Sequence, residues 1–321
     1  MTFEHAHQRI EEELAKINLM AQPEDLYQPI AYALESGGKR IRPALCLMAC
    51  EALGGDVEKA IYPALALEIF HNFTLLHDDI MDKDDIRRNR PTVHKKWNEN
   101  VAILSGDAMQ IIAYQYLAKT PELCLKAVLD IFNDTALKVC EGQQYDVDFE
   151  TQDRVNVDDY ITMIEHKTAV LIEASLKIGA TVAGADYDAV DLFGKFGKNL
   201  GLAFQLRDDW LDTFGDEATF GKDIGSDILN NKKTYLLISA LQMAAGDLLK
   251  ELKNCLYVAE MTPEEKIKKV KNIFVQLGID DLTQRQAERY YEASIEALDQ
   301  LQIKNKADFI TLAEGLLKRS K

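Results

Sequence analysis

Apolar residues recur at three- and four-residue spacing almost from end to end of the chain. No pair of alternating β-branched segments flanks an Asn-Gly or Asp-Gly turn. This pattern predicts an all-α fold, with helices near 4–18, 40–53, 58–84, 98–119, 121–142, 157–179, 188–214, 225–245, 263–279, 281–302 and 306–319. Thr120-Pro121-Glu122 and Thr262-Pro263-Glu264-Glu265 read as helix starts, each with a capping hydroxyl, a proline at the first helical position and early acidic residues. Three intervening stretches read as loops that could serve as lids: Ser36-Gly37-Gly38-Lys39, the charged run from Lys83 to Asn98, and Thr213 to Ser226 with Gly215, Gly221 and Gly225. No linker or low-complexity stretch interrupts the pattern, so one domain over 1–321 is expected.

Within this pattern the apolar helix ending Leu75-Leu76-His77-Asp78-Asp79-Ile80-Met81-Asp82 suddenly gathers three carboxylates. With His71 as zero and about 100° per residue, Asp78 falls near −20°, Asp82 near +20° and Asp85 near −40°, a single stripe, while Asp79 points elsewhere. Like charges four residues apart repel unless a cation sits between them, and hard carboxylate oxygens suit Mg²⁺. A second cluster, Phe204-Gln205-Leu206-Arg207-Asp208-Asp209-Trp210-Leu211-Asp212, repeats the spacing, with Gly201, Gln205, Asp208 and Asp212 within about 60° on one face. Two such helices facing each other would form a cage for about three Mg²⁺ ions.

Charge narrows the possible partners. Lys and Arg number 37 against 53 Asp and Glu, a formal net charge of −16. That field repels nucleic acid, so a phosphorylated ligand must be held by local cations or by metal. Such cations are present in Gly37-Gly38-Lys39-Arg40-Ile41-Arg42-Pro43 at a helix start, in Arg87 and Arg88 after the first cluster, in Lys167-Thr168, and in Lys222 and Lys232 around the loop after the second. The five cysteines are odd in number and lack CxxC spacing, which argues against disulfides or zinc; Cys46 and Cys50 share a helical face as core thiols. MTFEHAHQRIEEEL has neither a basic nor an apolar leader region, and no apolar run approaches a membrane span, so a cytoplasmic protein without membrane insertion is expected.

GGKRIRP, HDDIMDKDDIRRNRPTVH, EHKTA, FQLRDDWLD, GKDIGSDI and NNKKTYL, over residues 37 to 236, together resemble the trans-isoprenyl diphosphate synthase (polyprenyl synthetase) family. Two departures are minor: Asn-Lys-Lys stands where a Gly-Lys pair is common, and Arg207 precedes the second aspartates. The resemblance implies an isoprenoid synthase-type helical bundle around a central cavity, acting as a homodimeric, Mg²⁺-dependent prenyltransferase. It would join isopentenyl diphosphate to dimethylallyl, geranyl or farnesyl diphosphate. Asp78, Asp82 and Asp208 would ligate Mg²⁺ on the allylic diphosphate, with Arg87, Lys167, Lys222 and Lys232 as its countercharges. Lys39, Arg42, His71 and Arg88 would hold isopentenyl diphosphate, and Thr168 and Gln205 would steady the developing cation. Closure of the Thr213 to Ser226 loop, and of the basic tail Leu317-Lys318-Arg319-Ser320-Lys321, would exclude water.

A growing tail would run from Asp78 toward the N-terminus of its helix. The wheel then places Thr74 (about 40° away) and Phe70 (about 80°) nearer that path than Phe73 (about 140°). The resemblance instead points to the aromatic at Phe73 and a C20 product, geranylgeranyl diphosphate, with farnesyl diphosphate (C15) as the alternative. Other readings fit less well. His77-Asp78 as the doublet of an HD phosphohydrolase would need further upstream histidines, where only His71, His5 and His7 stand. A terpene cyclase has no use for a second diphosphate site at Lys39, Arg42 and Arg88. A non-catalytic partner subunit would be expected to have lost aspartates from one cluster.

Overall fold

A computed structural model describes residues 1–152, 154–215 and 224–317. Among them every regular element is helical except one two-stranded hairpin. The elements in order are α1 (Phe3–Leu14), α2 (Glu24–Leu34), α3 (Ile41–Ala52), α4 (Val57–Met81), β1 (Ile86–Arg87), β2 (Arg90–Pro91), α5 (Val93–Lys96), α6 (Glu99–Leu117) and α7 (Glu122–Thr151). Then follow α8 (Val157–Ile164), a π-helical turn (Glu165–Ala169), α9 (Val170–Val182), α10 (Tyr187–Phe214), α11 (Ser226–Leu229), α12 (Tyr235–Met243), α13 (Gly246–Tyr257), α14 (Pro263–Gln276), α15 (Ile279–Gln300) and α16 (Lys306–Leu317).

The chain forms two compact units: Met1–Thr135 with Leu171–Gly194 and Leu301–Asp308, and Ala136–Val170 with Lys195–Gln300 and Phe309–Lys321. In the first, α4 is the core element. It starts at Asp56, whose side chain accepts from the Glu58 N–H at 3.1 Å, and it is apolar nearly all round because α3 and α6 cover it. Small residues allow the close packing: a Cβ on Gly106 would lie 2.2 Å from Nε2 of His77, and one on Gly179 would lie 2.1 Å from the Cys46 carbonyl oxygen. Cys46 and Cys50 are core residues, as their shared face suggests. In the second unit one apolar cluster joins Ile228, Leu237, Leu252, Val270 and Phe274 from α11 to α14. Another gathers Phe149, Tyr160, Leu202, Leu206 and Ile238. The Thr262 start holds as a full capping box, its hydroxyl accepting from Glu265 and the Glu265 carboxylate accepting from the Thr262 N–H.

Several boundaries differ from the periodic pattern. The charged run after α4 is not a plain loop. Arg88 (φ 52°) and Asn89 (φ 60°) both adopt left-handed backbone, the geometry of a tight hairpin turn, and Arg87 pairs with Arg90 across it. The 157–179 helix carries a π turn at its middle, and the 225–245 helix is two helices separated by Asn231 in the left-handed region. An asparagine tolerates that conformation. Its side chain bonds to the Leu256 carbonyl and to Lys266.

Candidate active site

The last turn of α4 explains how the first cluster is presented. Lys83 (φ 59°) follows the Asp82 cap, its N–H bonds to the Ile80 carbonyl, and the Asp84 N–H bonds to the Asp79 carbonyl, which is a Schellman closure. Asp78, Asp79 and Asp82 thus crowd the C-terminal end of a helix, where the macrodipole disfavours negative charge. Asp85 lies beyond that closure, so the wheel does not place it: it is exposed and pairs with Lys95 at 2.8 Å, off the stripe. Asp79 is turned inward. Burial pushes its carboxyl up to about 6, against the pull of Arg87, whose Nε donates to it. The same guanidinium lies 3.4 Å from Asp78 and 3.7 Å from Asp84, and a cleft lined by Asn72, Leu76, Asp79, Arg87 and Arg88 opens beside it.

A second concentration of positive charge surrounds His71, one stripe with Asp78 as the wheel indicates. Nη1 of Arg42 lies 3.0 Å from Nε2 of His71. Burial, then the charges of Arg42, Arg88, Arg87 and Arg40, hold the imidazole well below its ordinary value, so it is neutral beside cations. Burial lowers Arg42 to about 10, and its buried Nε has no partner among the described residues. Arg88 donates to Ser36 Oγ at 3.2 Å and to the Gly37 carbonyl, and the missing side chain of Gly38 makes room: a Cβ there would lie 2.9 Å from the guanidinium. Lys39 is exposed at the same loop. Arg40, by contrast, is no phosphate cation. It is buried, bonded to Glu68 and Glu11 at 2.7 Å each and to the Leu34 carbonyl at 2.6 Å, and it pins α1, α2 and α4 together.

Phe70 and Phe73 meet at 5.5 Å between ring centroids. Phe70 is fully enclosed, edge-on to Phe132, which in turn packs on Tyr114. Phe73, 8% exposed, lies edge-on to His77. Thr74 donates to the His71 carbonyl at 2.8 Å. His77 Nε2 lies 3.1 Å from the Ile103 carbonyl oxygen, an engagement with α6 that suits a packing residue rather than a metal-binding doublet.

In the second unit the π turn brings Lys167 and Thr168 out of α-helical register. It comes so close to α7 that a Cβ on Gly142 would lie 2.2 Å from the Lys167 nitrogen. Lys167 Nζ donates to Asp146 at 2.6 Å, and the charges of Lys167 and Lys232 hold the Asp146 carboxyl down against its burial. Thr168 Oγ1 in the π turn donates to Gln205 Oε1 on α10 (3.1 Å), Gln205 Nε2 donates to Asp209 Oδ1 (2.9 Å), and the Tyr160 hydroxyl of α8 donates to Asp209 Oδ2. Burial and Asp227 push the Asp209 carboxyl up to about 7. Asp208 and Asp212 are partly exposed, and Asp212 accepts from the Asp227 N–H at 3.0 Å, tying down the start of α11. This cluster, too, stands in the last two turns of its helix. Arg207 lies over the Trp210 ring at 4.1 Å while the indole donates to Asp280 at 2.6 Å, so the arginine before the second aspartates serves packing. Lys222, most of the Thr213 to Ser226 loop and the tail beyond Leu317 lie outside the described residues. Asp146, Tyr160 and Glu68 escaped the sequence reading, and Asp209 stood there only as a member of the second cluster, without a role. The only available signal was a charged or hydroxyl residue on an otherwise apolar face.

A family model described as polyprenyl synthetase matches residues 23–274. The geranylgeranyl diphosphate synthase of Methanosarcina mazei is 39% identical over 88% of this chain and 86% of its own. A crystal structure of a geranylgeranyl pyrophosphate synthase superimposes with a TM-score of 0.93 at 43% identity, covering 100% of both chains. That of the geranylgeranyl pyrophosphate synthase from Corynebacterium glutamicum, complexed with isoprenyl diphosphate and magnesium, does so with a TM-score of 0.85 at 27% identity over 99% and 98%. Helices, motif order and coverage agree, and the chain belongs to the polyprenyl synthetase family.

Proposed function

We propose that this chain is a trans-prenyltransferase that condenses isopentenyl diphosphate with an allylic diphosphate, its product being geranylgeranyl diphosphate, with farnesyl diphosphate as the second reading. The observation that carries the reaction class is the pair of aspartate clusters at the C-terminal ends of α4 and α10, charge placed where a helix alone disfavours it. The donor set fits Mg²⁺. It is all carboxylate oxygen, and among the described residues no three His, Cys, Asp or Glu side chains close into a protein-only cage. Mg²⁺ keeps waters and takes substrate phosphates as ligands, so an open set suits it, and the relative from Corynebacterium glutamicum carries magnesium with its isoprenyl diphosphate.

In this reading Asp78, Asp82 and Asp208 would hold about three Mg²⁺ ions, which when bound would supply charge stabilisation to the leaving diphosphate. Arg87, Lys167, Lys222 and Lys232 meet the same diphosphate. Arg87 would exchange its Asp78 contact for phosphate while Asp79 keeps it in place. Arg42, Arg88, Lys39 and the neutral His71 hold isopentenyl diphosphate. Cleavage of the allylic C–O bond gives a cation; the isopentenyl double bond forms the new C–C bond to it, and the released diphosphate takes the proton from C2 of the adduct. Thr168 and Gln205 face the cation with oxygen. Phe73 over Phe70 would end the tail, which favours C20. A single catalytic domain, a cytoplasmic location and a homodimer joined through the apolar residues that α6 leaves exposed, Ile103, Leu104 and Ile111, go with this reading. No helix among the described residues is long and apolar enough to cross a membrane.

Incubation with Mg²⁺, isopentenyl diphosphate and dimethylallyl, geranyl or farnesyl diphosphate in turn, followed by sizing of the products, tests it. C20 from each starter is expected. Termination at C15 with farnesyl diphosphate left unused would establish the second reading, and no condensation with any starter would defeat the reaction class.

A further inference from the structure

The relay from Tyr160 to Thr168 has a direction, and one end of it sets that direction. Asp209 is 5% exposed and Tyr160 2%, so neither meets solvent freely, and each polar atom must find its partner inside the fold. The Tyr160 hydroxyl serves Asp209 Oδ2, and Oδ1 is left toward Gln205. Gln205 Nε2 donates to Oδ1 at 2.9 Å, which makes Oδ1 the accepting oxygen. The Gln205 amide has one donating and one accepting end, so its NH₂ must face Asp209 and its oxygen must face Thr168. The single hydrogen of the Thr168 hydroxyl is then spent on Gln205 Oε1 at 3.1 Å, which leaves only lone pairs for any other neighbour of that oxygen.

We infer that Asp209, gripped by Tyr160, is a positioning residue that fixes which end of the Gln205 amide meets Thr168, so that the Thr168 hydroxyl offers lone pairs rather than hydrogen to the developing allylic cation. This rests on the reading that Thr168 and Gln205 face that cation. It gives the second aspartate of the α10 cluster a task separate from metal binding, carried through two side chains rather than by contact with substrate. The physical stake is the sign of a dipole. An asparagine at 209 has the same shape but can turn its own NH₂ toward Gln205. The Gln205 amide then flips, its NH₂ faces Thr168, the Thr168 oxygen must accept, and the hydroxyl hydrogen is released to point positive end first at the cation.

The test is a double-mutant cycle on steady-state kinetics with Mg²⁺, isopentenyl diphosphate and the starter that works best. Asp209→Asn should lower kcat roughly 10–100-fold, somewhat less than the 10²–10³ lost with a direct charge-stabilising contact, while both Michaelis constants stay within about twofold. In a Thr168→Val background, where only the Gln205 oxygen remains to be turned away, the same substitution should cost several-fold less than in the parent protein. Near-normal turnover of Thr168→Val itself would defeat the underlying reading of Thr168. A slow Thr168→Val with an unaffected Asp209→Asn would overturn the positioning role alone, as would an equal kcat loss in both backgrounds, the mark of a structural effect. If Asp209→Asn does not fold, Tyr160→Phe replaces it in the same cycle. It loosens the carboxylate, and a kcat loss several-fold larger in the Thr168 background supports the inference, while an equal loss in both, or none in either, overturns it.

Discussion

Replacing Phe73 should lengthen the product by one isoprene unit. Phe73 and Phe70 lie five and eight residues before Asp78 on a continuous helix, so at about 1.5 Å per residue they stand ~7.5 Å and ~12 Å below it. The ~4.5 Å between them is close to the roughly 5 Å that four main-chain carbons of an isoprene unit occupy at C–C lengths near 1.5 Å. Phe73 packs on Phe70 at 5.5 Å, and Phe70 is edge-on to Phe132, so a tail growing down this helix would meet Phe73 first. Phe73→Ala should therefore shift the product from C20 to C25 at a stability cost of about 3 kcal/mol, near the low end for Phe→Ala because the ring is not fully enclosed. Phe70→Ala should cost about 3–5 kcal/mol and leave the product at C20, and the double variant should reach C30. Chromatography of the dephosphorylated products, with urea denaturation of each variant, reads both quantities. Lengthening by Phe70→Ala alone would refute this ordering and return the floor to the wall chosen by the helical wheel. Unchanged products from both variants would move it to another helix.

Three further outcomes are expected. The depressed His71 takes up no proton near its ordinary value of 6.5 while the unfolded chain does, so its stabilising share is present above that pH and is lost as pH falls below it. The urea midpoint should drop between pH 7.5 and 5, and His71→Gln should flatten the drop; an equally steep drop in the variant refutes the assignment. Arg40→Met strands the buried Glu68 carboxylate and should cost about 3–5 kcal/mol, whereas Arg40→Met with Glu68→Leu should recover most of it, measured by denaturation. Asp146→Asn removes the charge of the 2.6 Å partner that orients Lys167. It should raise the allylic Michaelis constant about tenfold, the size of one charge-assisted hydrogen bond, with that of isopentenyl diphosphate unchanged.

Long apolar helices and their sudden acidic ends were legible in the sequence because periodicity and charge are local properties. α2 was not. It begins at Pro23 without a side-chain cap and carries Pro29 inside, so it shows a breaker and no start signal. α13 was missed for a similar reason, since Gly246 (φ 57°) reads as the end of one helix rather than the first residue of another. The π turn that sets Lys167 and Thr168 depends on the approach of Gly142 from α7, which no local pattern encodes. Asp85 was misplaced because a wheel continues past the point where Lys83 closes the helix. Arg40 read as one more loop cation until burial beside Glu68 showed it to be a structural ion pair. The supporting charges Asp79, Asp146 and Asp209 are visible as aspartates in the sequence, but their partners come from other elements, and only the fold brings them together.

The claim that the two aspartate clusters carry the reaction is tested most directly by Asp78→Ala and Asp208→Ala, assayed for isopentenyl incorporation at saturating Mg²⁺ and compared with the parent protein by thermal unfolding. Removal of negative charge from a helix C-terminus should leave the midpoint unchanged or slightly higher. Turnover should fall by roughly 10³ or more in each variant, because charge stabilisation of the leaving diphosphate is lost. Near-normal turnover in either well-folded variant would contradict the account.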